Sequence, residues 1–182
     1  MAREAYELGM RQFQVKLGAD RDWQADAERL IKVREAVGSG PLVYGDWNCG
    51  ADALTATRVG RATLQECTHV RAATGLPMKL DESAHDVASV LAGHQAGCMD
   101  AAALKLSKMG GLSAMRRVRD LCLSLGTQMC IEDTWGSDVT TAALLHLAAS
   151  TPARGLMNTC DLSHYVGPRL DEAAPVRRNG RI

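Results

Sequence analysis

The sequence predicts an α/β fold, a parallel (β/α) barrel of the TIM type, and three observations lead to that class. Short apolar runs alternate with longer amphipathic runs along the chain. The amphipathic runs have the length and spacing of helices, and several of them end at glycines or are followed by proline. Strands and helices that alternate in this way form a parallel sheet, and several units in one register favour a barrel over an open sheet.

The first part of the chain follows this alternation. "MAREAYELGM" predicts a helix, "RQFQVKLG" a strand, and "DRDWQADAERLIKVREAVGSG" a helix that ends in glycines. "GPLVYGD" predicts the next strand, and "ADALTATRVGRATLQECTHVRAATG" is helical throughout. The buried face of the second helix is predicted to carry Trp23, Ala27, Leu30 and Ile31.

The second part repeats the pattern with clearer boundaries. "LPMKLDE" predicts a strand after Gly75 and Pro77, "SAHDVASVLAGHQAG" a helix, "DAAALKLS" a strand and "GLSAMRRVRDLCLSLG" a helix. "TQMCIED", "DVTTAALLHLAAS" and "RGLMNTCDLS" predict a strand, a helix and a last strand. The inward face of the "GLSAMRRVRDLCLSLG" helix is predicted to carry Met115, Val118, Leu121, Cys122 and Leu125.

Composition limits the classes of partner. Lysine plus arginine and aspartate plus glutamate both number 21, and no run of five or six like charges occurs, so we expect neither a nucleic-acid nor a membrane partner. The start of the chain has no apolar signal core and no later stretch is long enough to span a bilayer, which predicts a cytoplasmic protein. The six cysteines are spread singly and are expected to be reduced core residues.

Lysines and carboxylates recur at the predicted carboxyl ends of the strands, where a parallel barrel gathers its chemistry. Two carboxylates in a shared mouth can hold Mg²⁺, which prefers oxygen ligands. A lysine whose pKa is lowered by a metal and by burial can then move a proton at the carbon next to a substrate carboxylate. The strand-end residues are Lys16, Asp46, Asn48, Asp81, Glu82, Lys105, Glu132 and Asp133.

The motifs "FQVKLGAD", "GDWNCG", "LPMKLDES", "LKLSKMGGLSAMRRVRD" and "IEDTWGSDVTTAALLHLAAST" together resemble the barrel domain of the mandelate racemase and muconate lactonizing enzyme group of the enolase superfamily. Within that group the chain is most similar to the cis-3-hydroxy-L-proline dehydratases and to the enzymes that epimerise hydroxyproline betaine. The resemblance covers nearly the whole chain, residues 1–182, which we interpret as one partial barrel domain.

The resemblance implies a role for each site residue. Lys16 and Lys105 would be acid/base groups on opposite faces of a small amino-acid-type carboxylate, and Asp46 and Asp81 would bind Mg²⁺. Gln14 departs from the family pattern, in which many members have a lysine. The remaining members of the predicted site, which would support the ligands or contact the substrate, are Asn48, Glu82, Asp133 and Trp135.

The chain is short for this fold, since a whole barrel needs about 250 residues. The N-terminal capping domain, the first strand and a strand between Asp46 and Asp81 are not found in the sequence, and the helical Glu66 is a poor substitute for the missing middle ligand. Either this is a shortened family member or the chain is part of a longer protein. Open sheet edges would favour association, so we expect a homo-oligomer.

Simpler interpretations stay open. Asp46 and Asn48 suit a turn, and Asp81 and Glu82 could cap the following helix. Lys108 before two glycines could be ordinary loop chemistry, His85 beside Asp86 surface polarity, and Trp135 a packed loop aromatic. Two hypotheses follow: a Mg²⁺-dependent enzyme that dehydrates or epimerises a proline derivative, and a catalytically inactive barrel fragment that keeps site residues by descent.

Overall fold

A computed structural model of the chain describes residues 1–18, 23–46, 64–162 and 169–182. The chain forms two compact units. The first consists of Met1–Arg61 and Arg177–Ile182, and the second of Ala62–Val176.

The first unit contains two parallel strands and two helices: α1 (Ala2–Glu7), β1 (Gln12–Lys16), α2 (Trp23–Val37) and β2 (Leu42–Asp46). β1 pairs with β2 in a register that places Lys16 opposite Asp46. Val15 is buried and Lys16 beside it is exposed, as the alternation of a strand with one covered face requires. The two strands and two helices predicted up to Asp46 are therefore confirmed, and residues 51–63 of the next predicted helix lie outside the described residues.

The buried face of α2 differs from the predicted one. Asp26 and Val37 are buried, whereas Ile31 is 56% exposed, so its predicted inward position is wrong. Ala27 and Leu30, which were also predicted to face inward, are half-buried. Asp26 accepts a hydrogen bond of 2.8 Å from the Gly18 amide, two residues after β1, and apolar periodicity does not detect a buried polar residue of this kind.

The second unit contains a four-stranded parallel sheet. Its strands, in their order in the sheet, are β3 (Lys79–Leu80), β4 (Ala101–Lys105), β5 (Gln128–Glu132) and β6 (Leu156–Thr159). β3 is shorter than the predicted strand "LPMKLDE", because only two of its residues pair with β4. Residues 47–63 lie outside the described part, so the predicted absence of a middle strand stays a prediction. The elements are α3 (Leu64–Thr74), β3 (Lys79–Leu80), α4 (Val87–Gln95), β4 (Ala101–Lys105), α5 (Leu106–Met109), α6 (Leu112–Leu125), β5 (Gln128–Glu132), α7 (Asp138–Ala149) and β6 (Leu156–Thr159).

The core of the second unit is built on β4 and β5. Every residue of β4 is buried, as expected for a parallel strand covered on both faces. The predicted inward face of α6 is confirmed for Met115, Val118 and Cys122, which are buried, while Leu121 packs partly buried against the same core. These contacts fix the sheet whose carboxyl edge carries the predicted site.

Polar contacts hold the segment before β4 and the start of α4. Arg71 of α3 makes a two-point ion pair with Asp100, at 3.0 Å from Nε and 2.6 Å from Nη2, just before β4 begins. α4 is capped by Asp86, whose side chain accepts a 2.7 Å hydrogen bond from the Ser89 amide. The alternative interpretation of Asp81 and Glu82 as its cap is therefore wrong.

Two further predictions concern the state of the cysteines and the absence of a membrane-spanning segment. None of the described cysteines forms a disulfide, and four of them are buried, which agrees with their interpretation as reduced core residues; Cys49 lies outside the described residues. Among the described helices, none combines the length and apolar character that crossing a bilayer requires.

Candidate active site

The carboxyl ends of β3, β4 and β5 present polar side chains at one edge of the sheet. Leu80, the last residue of β3, pairs with Ala102 of β4, and Lys105 pairs with Glu132, which are the last residues of β4 and β5. Asp81 comes directly after β3. These strands run in parallel, and their last residues therefore meet at the same edge. The strand-end rule used on the sequence predicted this clustering for Asp81 and Lys105.

Lys105 and Asp81 form a nearly buried ion pair. Nζ of Lys105 lies 2.7 Å from each carboxylate oxygen, and it donates a hydrogen bond to Oδ2. The side chains are only 10% and 14% exposed. Burial acts most strongly on the pKa of Lys105 and by itself lowers it. The hydrogen bond and charge of Asp81, with the charges of Glu132 and Glu82, outweigh burial and raise that pKa above its usual value.

Lys108 brings a second ammonium to the same carboxylate, whereas sequence analysis interpreted it as loop chemistry and did not place it in the site. Its Nζ lies 3.6 Å from Oδ1 of Asp81, and its side chain is 29% exposed. The four-residue helix α5 makes this possible, because it places Lys108 about one turn after its N-cap, Lys105. Gly110 and Gly111 then turn the chain with φ of 78° and 112°, a region that favours glycine. A sequence search for lysines at i and i+3 after a strand end would have found this pair.

Glu132 is a buried carboxyl beside the two lysines of the sheet. Only 5% of it is exposed, and burial raises the pKa of its carboxyl above the usual range; Lys79 and Lys105 act against that rise and Asp81 adds to it. The thiol of Cys160 lies 3.8 Å from Oε2 and donates to it. The edge therefore carries alternating charges from Asp81 through Lys105 to Glu132.

A layer of side chains lies one step below this edge. Nζ of Lys79 approaches Sγ of Cys130 at 3.9 Å, across β4, where the small Ala103 pairs with Cys130. Burial raises the pKa of the Cys130 thiol to about 11 and that of Cys160 to about 12. Both thiols stay protonated at neutral pH, so neither is a ready nucleophile.

Asp133 contacts the chain around it on both sides. Its carboxylate accepts hydrogen bonds from the Ser107 amide at 3.0 Å, from the Ser107 hydroxyl and from the Thr134 amide at 2.7 Å. Only 8% of the residue is exposed. Asp133 therefore links the segment after β4 to the segment after β5.

In the first unit the structure brings Lys16 together with Asp46. Nζ of Lys16 lies 2.6 Å from Oδ2 of Asp46, and the Gln14 amide also donates to that oxygen. The Lys16 side chain is 62% exposed and that of Asp46 is 13% exposed. Each Lys–Asp pair lies within its own unit, and one site that combines the two pairs stays a prediction.

The other predicted site residues have different outcomes. Asn48 lies outside the described residues. Glu82 is exposed in a turn after β3, where its charge contributes to the raised pKa of Lys105. Trp135 is 69% exposed, so the interpretation as a packed loop aromatic is wrong. The side chain of Glu66 is not among those described, although its position within α3 confirms that it is helical.

The Asp81 carboxylate offers one oxygen to a hard cation. Oδ1 is buried and accepts no hydrogen bond, although the ammonium of Lys105 lies 2.7 Å from it and that of Lys108 3.6 Å. Carboxylate oxygen is the ligand type that Mg²⁺ prefers. Within the part of the chain that the structure describes, no three His, Cys, Asp or Glu side chains cluster closely enough to hold a metal. Asp81 thus fits a magnesium site as a single ligand.

Comparison with curated proteins identifies enzymes of similar sequence. The chain is 36% identical to a cis-3-hydroxy-L-proline dehydratase of Roseibium aggregatum, over 96% of this chain and 50% of the relative. It is 30% identical to a chloromuconate cycloisomerase of Cupriavidus necator, over 86% of this chain and 45% of the relative. The chain therefore spans about half the length of the curated relatives it matches.

Solved structures give the same result. A mandelate racemase/muconate lactonizing enzyme from Roseovarius nubinhibens matches with a TM-score of 0.87 and 32% identity, over 98% of this chain and 51% of that one. An enolase superfamily member from the same organism, complexed with magnesium, matches with a TM-score of 0.88 and 28% identity, over 97% and 52% of the two chains. The family model described as enolase C-terminal domain-like matches residues 1–182. With its parallel α/β sheet and its lysine and aspartate side chains at the strand ends, the chain belongs to this family, whose fold is of the TIM-barrel type.

Proposed function

We propose that this chain carries acid/base and metal-binding residues of an enzyme that removes the α-proton of a small amino-acid-type carboxylate. The observation that carries the proposal is the nearly buried pair of Lys105 and Asp81 at the carboxyl edge of the sheet. A lysine is a general base only when a fold holds it at a defined position. The contacts of Lys105 with Asp81 provide that position.

Each residue has a defined task in this proposal. The Nζ atom of Lys105 takes or returns the proton at the α-carbon, and the charges of Asp81 and Glu132 set its proton affinity. Asp81, together with Asp46 as the resemblance implies, would hold Mg²⁺. The bound ion would supply positive charge that stabilises the negative charge developing on the substrate carboxylate. Lys16 keeps the second acid/base role, and Asn48, Glu82 and Trp135 stay predicted site residues.

We propose a proline derivative as the substrate, because the Roseibium relative is named a cis-3-hydroxy-L-proline dehydratase. In dehydration, a lysine takes the α-proton and the 3-hydroxyl then leaves as water after protonation. In epimerisation, a second lysine returns a proton to the opposite face of the same carbon. The exposed Trp135 is available to an aliphatic ring in either case. Cytoplasmic location and homo-oligomeric assembly stay predictions from the sequence.

The alternative is a domain that keeps these side chains without turnover. One observation favours it: the negative charge of Asp81 is balanced by the ammoniums of Lys105 and Lys108, as in a purely structural ion-pair network. In that case metal binding would be weak, because a cation would have to displace an ammonium from the carboxylate.

Exchange of the substrate α-proton in deuterated water distinguishes the active enzyme from the domain without turnover. The full chain is incubated with Mg²⁺ and cis-3-hydroxy-L-proline or hydroxyproline betaine, and deuterium incorporation is followed by NMR. We expect exchange, and we expect Lys105→Met and Lys16→Met each to lower its rate by about 10²- to 10⁴-fold. Lys32→Met is the matched control, because Lys32 lies on the exposed side of α2 with its ammonium 3.1 Å from Glu28, which is also exposed.

Two results would contradict the proposal. Folded wild-type protein that exchanges no α-proton from either compound would favour the domain without turnover. Exchange that survives Lys105→Met at the wild-type rate would show that Lys105 is not the base, whatever the reaction.

A further inference from the structure

The helix α5, Leu106–Met109, is too short to be stable by itself. α5 has four residues, whereas an isolated helix needs about 12 to 15 to be even marginally stable in water. No side chain at its N-cap, Lys105, bonds to its free amides. The segment is followed by Gly110 and Gly111, whose backbones are the least restricted of any residue. Something outside the segment must therefore fix it.

We propose that Asp133 is the residue that fixes this segment, and that its role is to position Lys108 beside the Lys105–Asp81 pair rather than to contact substrate. Its Oδ2 accepts the Ser107 amide, one of the free amides that the first turn of a helix always leaves. Its Oδ1 accepts the Ser107 hydroxyl. Asp133 thus caps α5 from the end of a different strand. We call these two hydrogen bonds the Asp133–Ser107 clamp.

The clamp acts on the side of α5 away from the ion pair. Lys105, which ends β4 and is the N-cap of α5, and Lys108 within α5 both approach Asp81, while Ser107 approaches Asp133. Rotation of α5 about its axis would move the ammonium of Lys108 relative to Asp81, whereas Lys105 is held by the pairing of β4 with β5, and the clamp opposes that rotation. It therefore controls the distance between Lys108 and Asp81, which is 3.6 Å.

Burial and bonding explain why Asp133 is not available to substrate. Only 8% of the residue is exposed, and both carboxylate oxygens already accept hydrogen bonds. A ligand that took either oxygen would leave a partly buried amide without an acceptor, which is costly. Sequence analysis gave Asp133 two possible roles, contact with the substrate or support of other site residues. In this proposal it has the second role.

Zero-length carbodiimide cross-linking tests the geometry without any substrate. The reagent joins a carboxylate and an amine that are in contact, and mass spectrometry of the digested full chain measures the Asp81–Lys108 product. We expect Asp133→Asn and Ser107→Ala to lower its yield by about threefold or more, since each removes or weakens a hydrogen bond to a charged group. Ser107→Thr, which keeps the hydroxyl, should retain the yield. The Glu28–Lys32 contact of 3.1 Å serves as the internal reference and should not change.

The kinetic test depends on the proposed function, whereas the cross-linking test does not. In the exchange assay we expect Asp133→Asn and Ser107→Ala to lower kcat by about tenfold, the loss that one charge-assisted hydrogen bond represents, with little change in KM. Ser107→Thr should restore kcat. A purely structural role would lower the thermal midpoint of both variants without this pattern.

Each result decides between the roles. An unchanged Asp81–Lys108 yield in folded Asp133→Asn would overturn the positioning role, and so would a raised KM with unchanged kcat, which would indicate substrate contact. If Asp133→Asn does not fold, Ser107→Ala, which removes only the hydroxyl bond, decides the question by the same two measurements. Wild-type protein without exchange would contradict the proposed function alone, and the cross-linking result would still stand.

Discussion

Two Lys–Asp pairs of almost equal length occupy very different surroundings in this chain. Lys16 lies 2.6 Å from Asp46 with its side chain 62% exposed, and Lys105 lies 2.7 Å from Asp81 with its side chain 10% exposed. Water screens the first pair and is largely excluded from the second. The distance within an ion pair therefore says little about its contribution to stability. The burial of the two charges decides how much free energy of unfolding is lost when one partner is removed.

Strand position accounts for this difference. Lys105 ends β4, which has a paired strand on each side and is buried along its whole length. Lys16 ends β1, which pairs only with β2 in the described part of the first unit. A second ammonium, from Lys108, also faces Asp81, while Asp46 receives the neutral amide of Gln14. Charge is therefore concentrated where water is scarce.

The largest expected difference between the pairs is in stability. Lys105→Met leaves Asp81 partly buried with only the more distant Lys108, and breaking such a pair from one side costs about 3 kcal/mol. Lys16→Met breaks an exposed pair and should cost less than about 1 kcal/mol. Urea unfolding of both variants measures the two free energies. Equal losses would show that burial does not separate the pairs.

The pH dependence of stability should sharpen the contrast. The pKa of Lys105 is raised in the folded chain, so its contribution to stability is complete below the unfolded lysine value of about 10.4 and is lost as pH rises through the folded-state pKa. Wild-type protein should therefore lose more stability than Lys105→Met as the pH rises above about 10.4. Thermal midpoints at matched pH values give this difference. Parallel curves for the two proteins would contradict the raised pKa.

Salt should produce the smallest effect, and it should weaken the exposed pair of Lys16 and Asp46 more than the buried pair of Lys105 and Asp81. At 1 M NaCl the Debye length is about 3 Å, so the coupling of Lys16 and Asp46 should fall from about 0.5 kcal/mol to nearly zero. The coupling of Lys105 and Asp81 should keep more than about half its value, because buried pairs are screened less. Double-mutant cycles with Lys→Met and Asp→Asn, at low and high salt, measure both. Equal salt sensitivity would remove the distinction.

Sequence reasoning recovered most of the fold, and its errors have definite physical causes. Alternation and glycine positions located the described strands and helices, because burial on a sheet or helix face imposes those periods. Ile31 was placed on the wrong side because apolar periodicity gives no weight to Asp26, which is buried and accepts a hydrogen bond from the Gly18 amide. The predicted strand around Lys79 was too long because strand length depends on a pairing partner, which apolar runs do not specify.

The site was predicted in part for the same reason. Lys105 and Asp81 were identified because carboxyl ends of parallel strands converge, a rule that needs only strand order. Lys108 was missed because its position depends on a four-residue helix that has no periodicity of its own. The contacts of Asp133 with Ser107 join residues that follow different strands, and only the folded chain shows them.

The Asp133–Ser107 clamp also bears on how this fold can be recombined. Loops at the carboxyl ends of barrel strands are the parts commonly exchanged to alter a barrel enzyme, on the assumption that each loop is independent. Here residues 106–111 and 133–137 share hydrogen bonds, so replacing one loop alone leaves an amide or a carboxylate of the other without its partner. The two loops form a single module, and a chimaera that transfers them together should keep the lysine geometry that separate transfers would lose.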